Sequence, residues 1–126
     1  MTCAGISALL MAREKLAEGD ARVSGEVVEC CVEQQVDTAI TRAMAWMARN
    51  FSVHQNPGDA GHILYYLYGL ERIGRLTNSR LIGNHDWYRE GADALVRRQT
   101  QLGGGAWKGE GAGEHQQLIG TCFGLL

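Results

Sequence analysis

With 126 residues the chain has room for one domain, and its 45% apolar and 21% charged residues are the balance of an ordinary globular protein. The 12 basic residues do not cluster and the net charge is −2, which argues against a nucleic-acid partner. The longest apolar stretches fall far short of a membrane span, so no transmembrane segment is expected. The opening TCAGISALLMARE has no basic leader and no cleavage site, so no signal peptide is visible and a cytoplasmic location is favoured.

The first predicted element is a helix over residues 2–17, with Ile6, Leu9 and Leu10 at helical spacing and Gly19-Asp20 as its stop. Residues 18–30 are polar and mixed and predict a loop. The alternation in RVSGEVVECCVE (22–33) is short and broken by glycine, so no β element is expected there. A second helix fits residues 33–50. Val36, Ile40, Ala43 and Met47 form its apolar stripe, and Arg42 and Arg49 stay outside. Asn56-Pro57-Gly58 predicts a turn, and Asp59 is the expected N-cap of a third helix over 60–76. That helix contains HILYYLYGL, apolar or aromatic on every side, so protein should enclose it. After a connection over 77–85, Asp86 predicts the N-cap of a fourth helix, 87–101, with a stripe of Tyr88, Gly91 or Ala92, Leu95 and Val96. A glycine-rich loop covers 102–115, and QQLIGTCFGLL begins a fifth helix.

Two compositional features stand out. There are 17 glycines against the single proline Pro57, which in a helical chain suggests close helix approach and glycine-built connections. The four cysteines, Cys3, Cys30, Cys31 and Cys122, form no CxxC pair and match no zinc spacing. Cys3 and Cys122 lie in apolar helical patterns, where a thiol acts as a small buried hydrophobe, and a reducing compartment fits them best.

A repeat organises these helices. TCAGISALL begins at Thr2, TCFGLL begins at Thr121, and the helix from His62 aligns between them, at spacings of about 60 positions. Two amphipathic helices alternate with these three. The expected architecture is therefore a stack of helical hairpins, with hydrophobic helices as an inner wall and amphipathic ones as an outer belt.

GADALVRRQ followed by GGGAW resembles the QW repeat of squalene-hopene cyclases and related triterpene cyclases. In that family the glutamine ends an outer helix, its side chain bonds backbone groups at the start of an adjacent helix, and the tryptophan packs over it. The resemblance places Gln99, Gly104 and Trp107 in those structural roles, with Gly103 to Gly105 as the turn. The stretch from Gly61 to Gln99 is similar to bacterial squalene-cyclase-like proteins with prenyltransferase/squalene oxidase repeats. The likeness extends over nearly the whole chain, most firmly residues 40–126. It implies an all-α, α/α-toroid arrangement of helical hairpins, about 31–76 and 86–126, forming an incomplete barrel as in a truncated piece of a longer chain.

The departures bear on function. No DxDD and no DCTAE-like motif occurs; the nearest acid is Asp37 in VDTA. The Asp, Cys and His zinc set of the prenyltransferases cannot be assembled from Cys30, Cys31, Cys122 and the histidines. The expectation is therefore a non-catalytic scaffold or fragment, without catalytic residues, metal or cofactor, binding a hydrophobic or isoprenoid ligand or a protein partner. The alternative is part of a terpenoid cyclase or prenyltransferase-type enzyme whose catalytic residues lie outside these positions. Exposed flanks of the inner helices would favour self-association.

Candidate ligand-binding residues lie on and beside the third helix. Tyr65, Tyr66 and Tyr68 can offer π faces to an isoprenoid or a carbocation, or simply pack between helices with their hydroxyls bonded. Three residues within one turn point in different directions, so a single cavity should not receive all three. His62 and Glu71 bracket the same helix, as a cavity-mouth acid or base or as ordinary polar residues. His85-Asp86-Trp87-Tyr88 reads as a cap with a packed indole rather than a polar site. CVEQ (31–34) is similar to a thioester CGEQ motif but has Val32 where that chemistry needs glycine, and GEGAGE (109–114) lacks the context of a phosphate loop.

Overall fold

The computed structural model describes residues 2–17, 22–24, 27–29, 38–59, 61–102, 104–111 and 113–126. Among them are five helices: α1 (Thr2–Ala17), α2 (Thr38–Arg49), α3 (Ile63–Leu76), α4 (Trp87–Leu102) and α5 (Gln117–Leu125). Four very short strands accompany them: β1 (Arg22–Ser24), β2 (Val27–Glu29), β3 (Leu81–Ile82) and β4 (His85–Asp86). The chain is mostly helical, as the periodicity predicts.

The strands correct the expectation of uninterrupted loops. β1 and β2 pair antiparallel, with Arg22 opposite Glu29 and Ser24 opposite Val27. β3 and β4 pair as a second hairpin around Gly83, whose φ of 62° lies in the left-handed region. Cys30, Cys31, the CVEQ segment and Asp37 lie outside the described residues.

Helix α3 is the hub. It packs most extensively against α1 and also meets α4 and α5, while α2 lies against α1. Ile63, Leu64, Tyr66, Leu67, Leu70 and Ile73 are buried, and Leu64 and Ile73 have no exposed surface. The enclosure is nevertheless open along one side, where Tyr65 is 43% exposed. Three neighbouring helices cover most of the circumference of α3 and leave an arc uncovered.

Small residues set the helix separations. A Cβ added to Gly69 on α3 would lie 2.8 Å from the Cβ of Cys3, so α1 approaches α3 at a glycine. Gly74 receives the indole of Trp87, whose Nε1 donates to the Ser79 carbonyl at 2.7 Å. In α2, Ile40 and Met47 are buried and Arg42 and Arg49 are exposed, as expected. In α4 half of the expected stripe faces inward, with Gly91 buried and Leu95 packed on the core beside buried Ala94, whereas Tyr88 is 68% exposed and Val96 is also open. The docking of Trp87 on Gly74 binds the first residue of α4 to the end of α3 and leaves the adjacent Tyr88 facing outward.

The caps divide in the same way. Asp86 acts as predicted: its Oδ1 accepts the N–H of Arg89 at 3.1 Å, and this bond, aided by Arg80, holds its carboxyl below the ordinary carboxylate range. Asp59 does not cap α3. Its Oδ1 accepts the N–H of Gly61 at 3.0 Å, and the helix starts two residues later, after His62 with a left-handed φ of 60°. The turn before it is as predicted, with the N–H of Asp59 donating to the Asn56 carbonyl at 3.1 Å and Gly58 at a φ of 86°.

Candidate functional site

A buried carboxylate supplies the missing cap. Glu114 is 1% exposed, and its two oxygens accept the N–H groups of Leu64 (3.1 Å) and Tyr65 (2.7 Å) in the first turn of α3. One residue, 50 and 49 positions from the two donors in sequence, thereby satisfies two otherwise orphaned N–H groups. The negative charge also sits at the positive end of the helix dipole. The Glu114 carbonyl accepts the N–H of Gly109 at 3.0 Å, and a side chain at Gly109 would occupy the place of Oε2. The His62 N–H donates to the Glu110 carbonyl, so backbone as well as side chain joins this loop to α3.

The glycine-rich loop also anchors α5. Trp107 is buried; its Nε1 donates to the Leu95 carbonyl at 2.8 Å and its backbone N–H to Thr121 Oγ1 at 3.2 Å. Gly124 lies under the indole, where a Cβ would stand 2.6 Å from the ring, and Gly120 lies against the Trp107 carbonyl, also 2.6 Å from an added Cβ. Gln99 Nε2 donates to the Gly105 carbonyl at 3.0 Å. Gly104 and Gly105 have φ values of 93° and 75°, backbone that only glycine adopts readily. Gln99 and Trp107 thus fasten the same loop to α4, one turn apart. The start of α3 is held by Glu114, a residue the sequence did not single out.

Between α1, α2, the loop around Asn56-Pro57 and α3 lies a half-open cavity of about 230 Å³. Tyr65, Tyr66 and Tyr68 all border it. Tyr66 is buried and points its hydroxyl where no partner stands. Burial and the neighbouring Cys3 raise its pKa to about 12, although the Ser52 backbone pulls the other way without closing a hydrogen bond. Ser7, one turn beyond Cys3 on α1, is buried and has an equally unpartnered Oγ. The Cys3 thiol donates to Met47 Sδ at 4.0 Å, and burial pushes its pKa to about 11. At the exposed end, Arg72 donates to the Tyr68 hydroxyl at 2.9 Å and to Met11 Sδ at 3.7 Å.

Tyr65 and Tyr68 also face α5. The ring of Tyr65 meets Phe123 edge-on at 5.5 Å, and Tyr68 lies 6.0 Å from the same ring. Glu71 borders a second hollow between α3, α4 and α5 and pairs with Arg75 at 3.2 Å. His62 is away from both, with its Nδ1 3.4 Å from Asp59. The structure therefore brings the three tyrosines together, leaves His62 apart from them, and sets Glu71 in a second hollow that Tyr68 also borders. His85 stacks on Phe51 at 4.3 Å and faces Glu90 at 3.3 Å, while Asp86 and Trp87 serve the cap and the packing described above.

Cys122 is exposed, against the expectation of a buried thiol; α5 turns Gly120 and Gly124 inward and Cys122 away. Among the described residues no three His, Cys, Asp or Glu side chains converge as a metal-binding group. No described helix is long and apolar enough to cross a membrane. No protein-family model, no curated protein and no solved structure matches the chain.

Proposed function

We propose that the chain is a repeat segment of the α/α-toroid kind, squalene-cyclase-like in organisation, that binds a hydrophobic ligand along its inner helices without transforming it. The observation that carries this reading is the order of packing. α1, α3 and α5 are successive neighbours, while α2 lies on α1 and α4 on α3. Odd helices in one row and even helices leaning on them is the arrangement that alternating hydrophobic and amphipathic helices require. The aromatic group of Tyr65, Tyr68 and Phe123 lies on the odd row, with Tyr65 open to solvent. The QW assignment of Gln99, Gly104 and Trp107 belongs to this reading. The loop they share supports it in part: Trp107 donates to the Leu95 carbonyl of α4 and Gln99 of α4 donates to the Gly105 carbonyl, so Gln99 bonds the loop after its own helix and not the start of an adjacent helix as the resemblance implies.

The test is calorimetric titration with farnesol, as a flexible isoprenoid probe, together with chromatography of the mixture after incubation with squalene. Saturable farnesol binding that disappears in the Tyr65→Ala/Tyr68→Ala double variant is expected, with squalene recovered unchanged. Absence of binding would refute the ligand assignment. A cyclic product would instead favour a terpenoid-cyclase-type activity.

A further inference from the structure

Among the described residues that border the cavity between α1, α2 and α3, only Arg72 carries a charge. It is half-buried, and its guanidinium spans two helices at the rim. Nη1 donates to the Tyr68 hydroxyl of α3 at 2.9 Å, and Nη2 donates to Met11 Sδ of α1 at 3.7 Å. Both acceptors border the same cavity, so the charged group itself, and not merely its alkyl stem, lies at the opening. Its Cζ stands 5.7 Å from the centre of the Tyr68 ring. Both acceptors are neutral, and the thioether is a weak one. Among the described residues no carboxylate pairs with Arg72; the adjacent Glu71 is taken by Arg75 at 3.2 Å. A guanidinium carries more N–H donors than these two bonds use, set in a flat fork, so much of its hydrogen-bonding capacity and all of its charge are left for a ligand.

Resting on the reading that the chain binds a hydrophobic ligand, we propose that this ligand is a single-chain amphiphile with a carboxylate head, the head paired with Arg72 and the chain lying against Tyr68 and Tyr65. One cation balances one negative charge. A singly charged head therefore suits the rim better than a neutral one, which leaves the guanidinium unanswered, or a multiply charged one, which exceeds it. The two oxygens of a carboxylate also match the fork of a guanidinium, which a lone hydroxyl cannot do. Tyr68 links head to chain: its hydroxyl accepts from Arg72, while its ring lies 6.0 Å from Phe123 in the aromatic group. Behind the rim, Ala4, Trp46, Met47 and Pro57 supply apolar wall, and no described lining residue is an acid that would repel the head. Because Arg72 is only half-buried, pairing there gains over open surface without the full cost of stripping both ions of water.

The experiment is calorimetric titration of the full chain with farnesoic acid and with farnesol at about pH 7.5, where a carboxylic acid is ionised, repeated on Arg72→Gln and Arg72→Lys. The two compounds share one chain, so the ratio of their dissociation constants isolates the head. Any effect of a substitution on Tyr68 that both compounds feel cancels in that ratio. The acid is expected to bind about tenfold more tightly than the alcohol, the worth of one charge-assisted hydrogen bond. Arg72→Gln should bring the ratio to about one, and Arg72→Lys, which keeps the charge, should retain part of the preference. Circular dichroism spectra matching that of the parent verify that both variants fold. Parent affinities for the two compounds that agree within about twofold overturn the carboxylate head. So does a preference for the acid that Arg72→Gln leaves intact. In either case saturable farnesol binding still supports the hydrophobic-ligand reading, whereas binding of neither compound overturns both.

Discussion

Replacing Glu114 with alanine should destabilise the protein more than its position in a glycine-rich loop suggests. The carboxylate accepts two backbone N–H groups at the first turn of α3, at 3.1 and 2.7 Å. Leu64 has no exposed surface, so water cannot replace the oxygen at its N–H. An unsatisfied buried donor costs about 1–3 kcal/mol, and loss of an N-cap costs about 0.5–2 kcal/mol. Relief of the carboxylate's own desolvation offsets part of this, and a net loss of about 3 kcal/mol results. Against a total stability of about 5–15 kcal/mol, that is a large share. Urea unfolding followed by circular dichroism reads it directly. With a slope of about 1.5–2 kcal/mol per molar, the midpoint should fall by about 1.5–2 M. Glu114→Gln retains one acceptor but turns its amide donors toward the second N–H, so it should fall between parent and alanine. Gly109→Ala inserts a methyl where Oε2 lies and should reproduce much of the loss with no change of charge. In the double variant Gly109→Ala/Glu114→Ala the two effects should be strongly non-additive, since the displaced group is gone. A Glu114→Ala midpoint within about 0.3 M of the parent would refute the cap.

Gly69→Ala should cost about 1–3 kcal/mol by the same urea assay, because its Cβ would press on Cys3 Cβ at 2.8 Å and push α1 from α3. Trp107→Phe removes the Nε1 bond to the Leu95 carbonyl as well as buried surface, and a loss of about 1–3 kcal/mol is expected. Iodoacetamide at pH 8, followed by peptide mass mapping, should label the exposed Cys122 well before the buried Cys3, whose thiol is held protonated up to about 11. The pH dependence follows with a definite sign. Cys3 and Tyr66 have folded pKa values raised from 9.0 to about 11 and from 10.0 to about 12, so the folded state binds their protons more tightly than the unfolded one. Stability should be undiminished by these groups below pH 9 and decline as pH rises through that range, and a Cys3→Ala/Tyr66→Phe variant should flatten the decline.

The tyrosine cluster shows how far residue-by-residue reasoning reaches. The notion that Tyr65, Tyr66 and Tyr68 cannot share one cavity treats α3 as an isolated cylinder. In the fold, α1 and the Asn56-Pro57 loop wrap far enough around α3 that a single hollow borders all three. Ser7 had no signal in the sequence. A serine among the small and apolar residues of α1 is ordinary, and only its burial without a hydrogen-bond partner sets it apart. The edges of the α4 stripe have the same origin: Gly91 and Leu95 face the core as the period predicts, but with Trp87 seated on Gly74, Tyr88 and Val96 are left outside.

What the sequence determined by itself is what depends on neighbours a few positions away. Helix α1, the Asn56-Pro57-Gly58 turn and the Asp86 cap were legible because their hydrogen bonds close within about four residues and their apolar spacing repeats every turn. The tertiary structure decided what spans long separations: Glu114 capping α3 from 50 positions away, Cys3 meeting Gly69, and Ser7 and Tyr66 bordering one hollow. The physical reason is that a backbone donor at a helix start can be satisfied by any acceptor that packing delivers. Asp59 was near in sequence, but the left-handed turn at His62 carried the chain past it, and the buried carboxylate took its place.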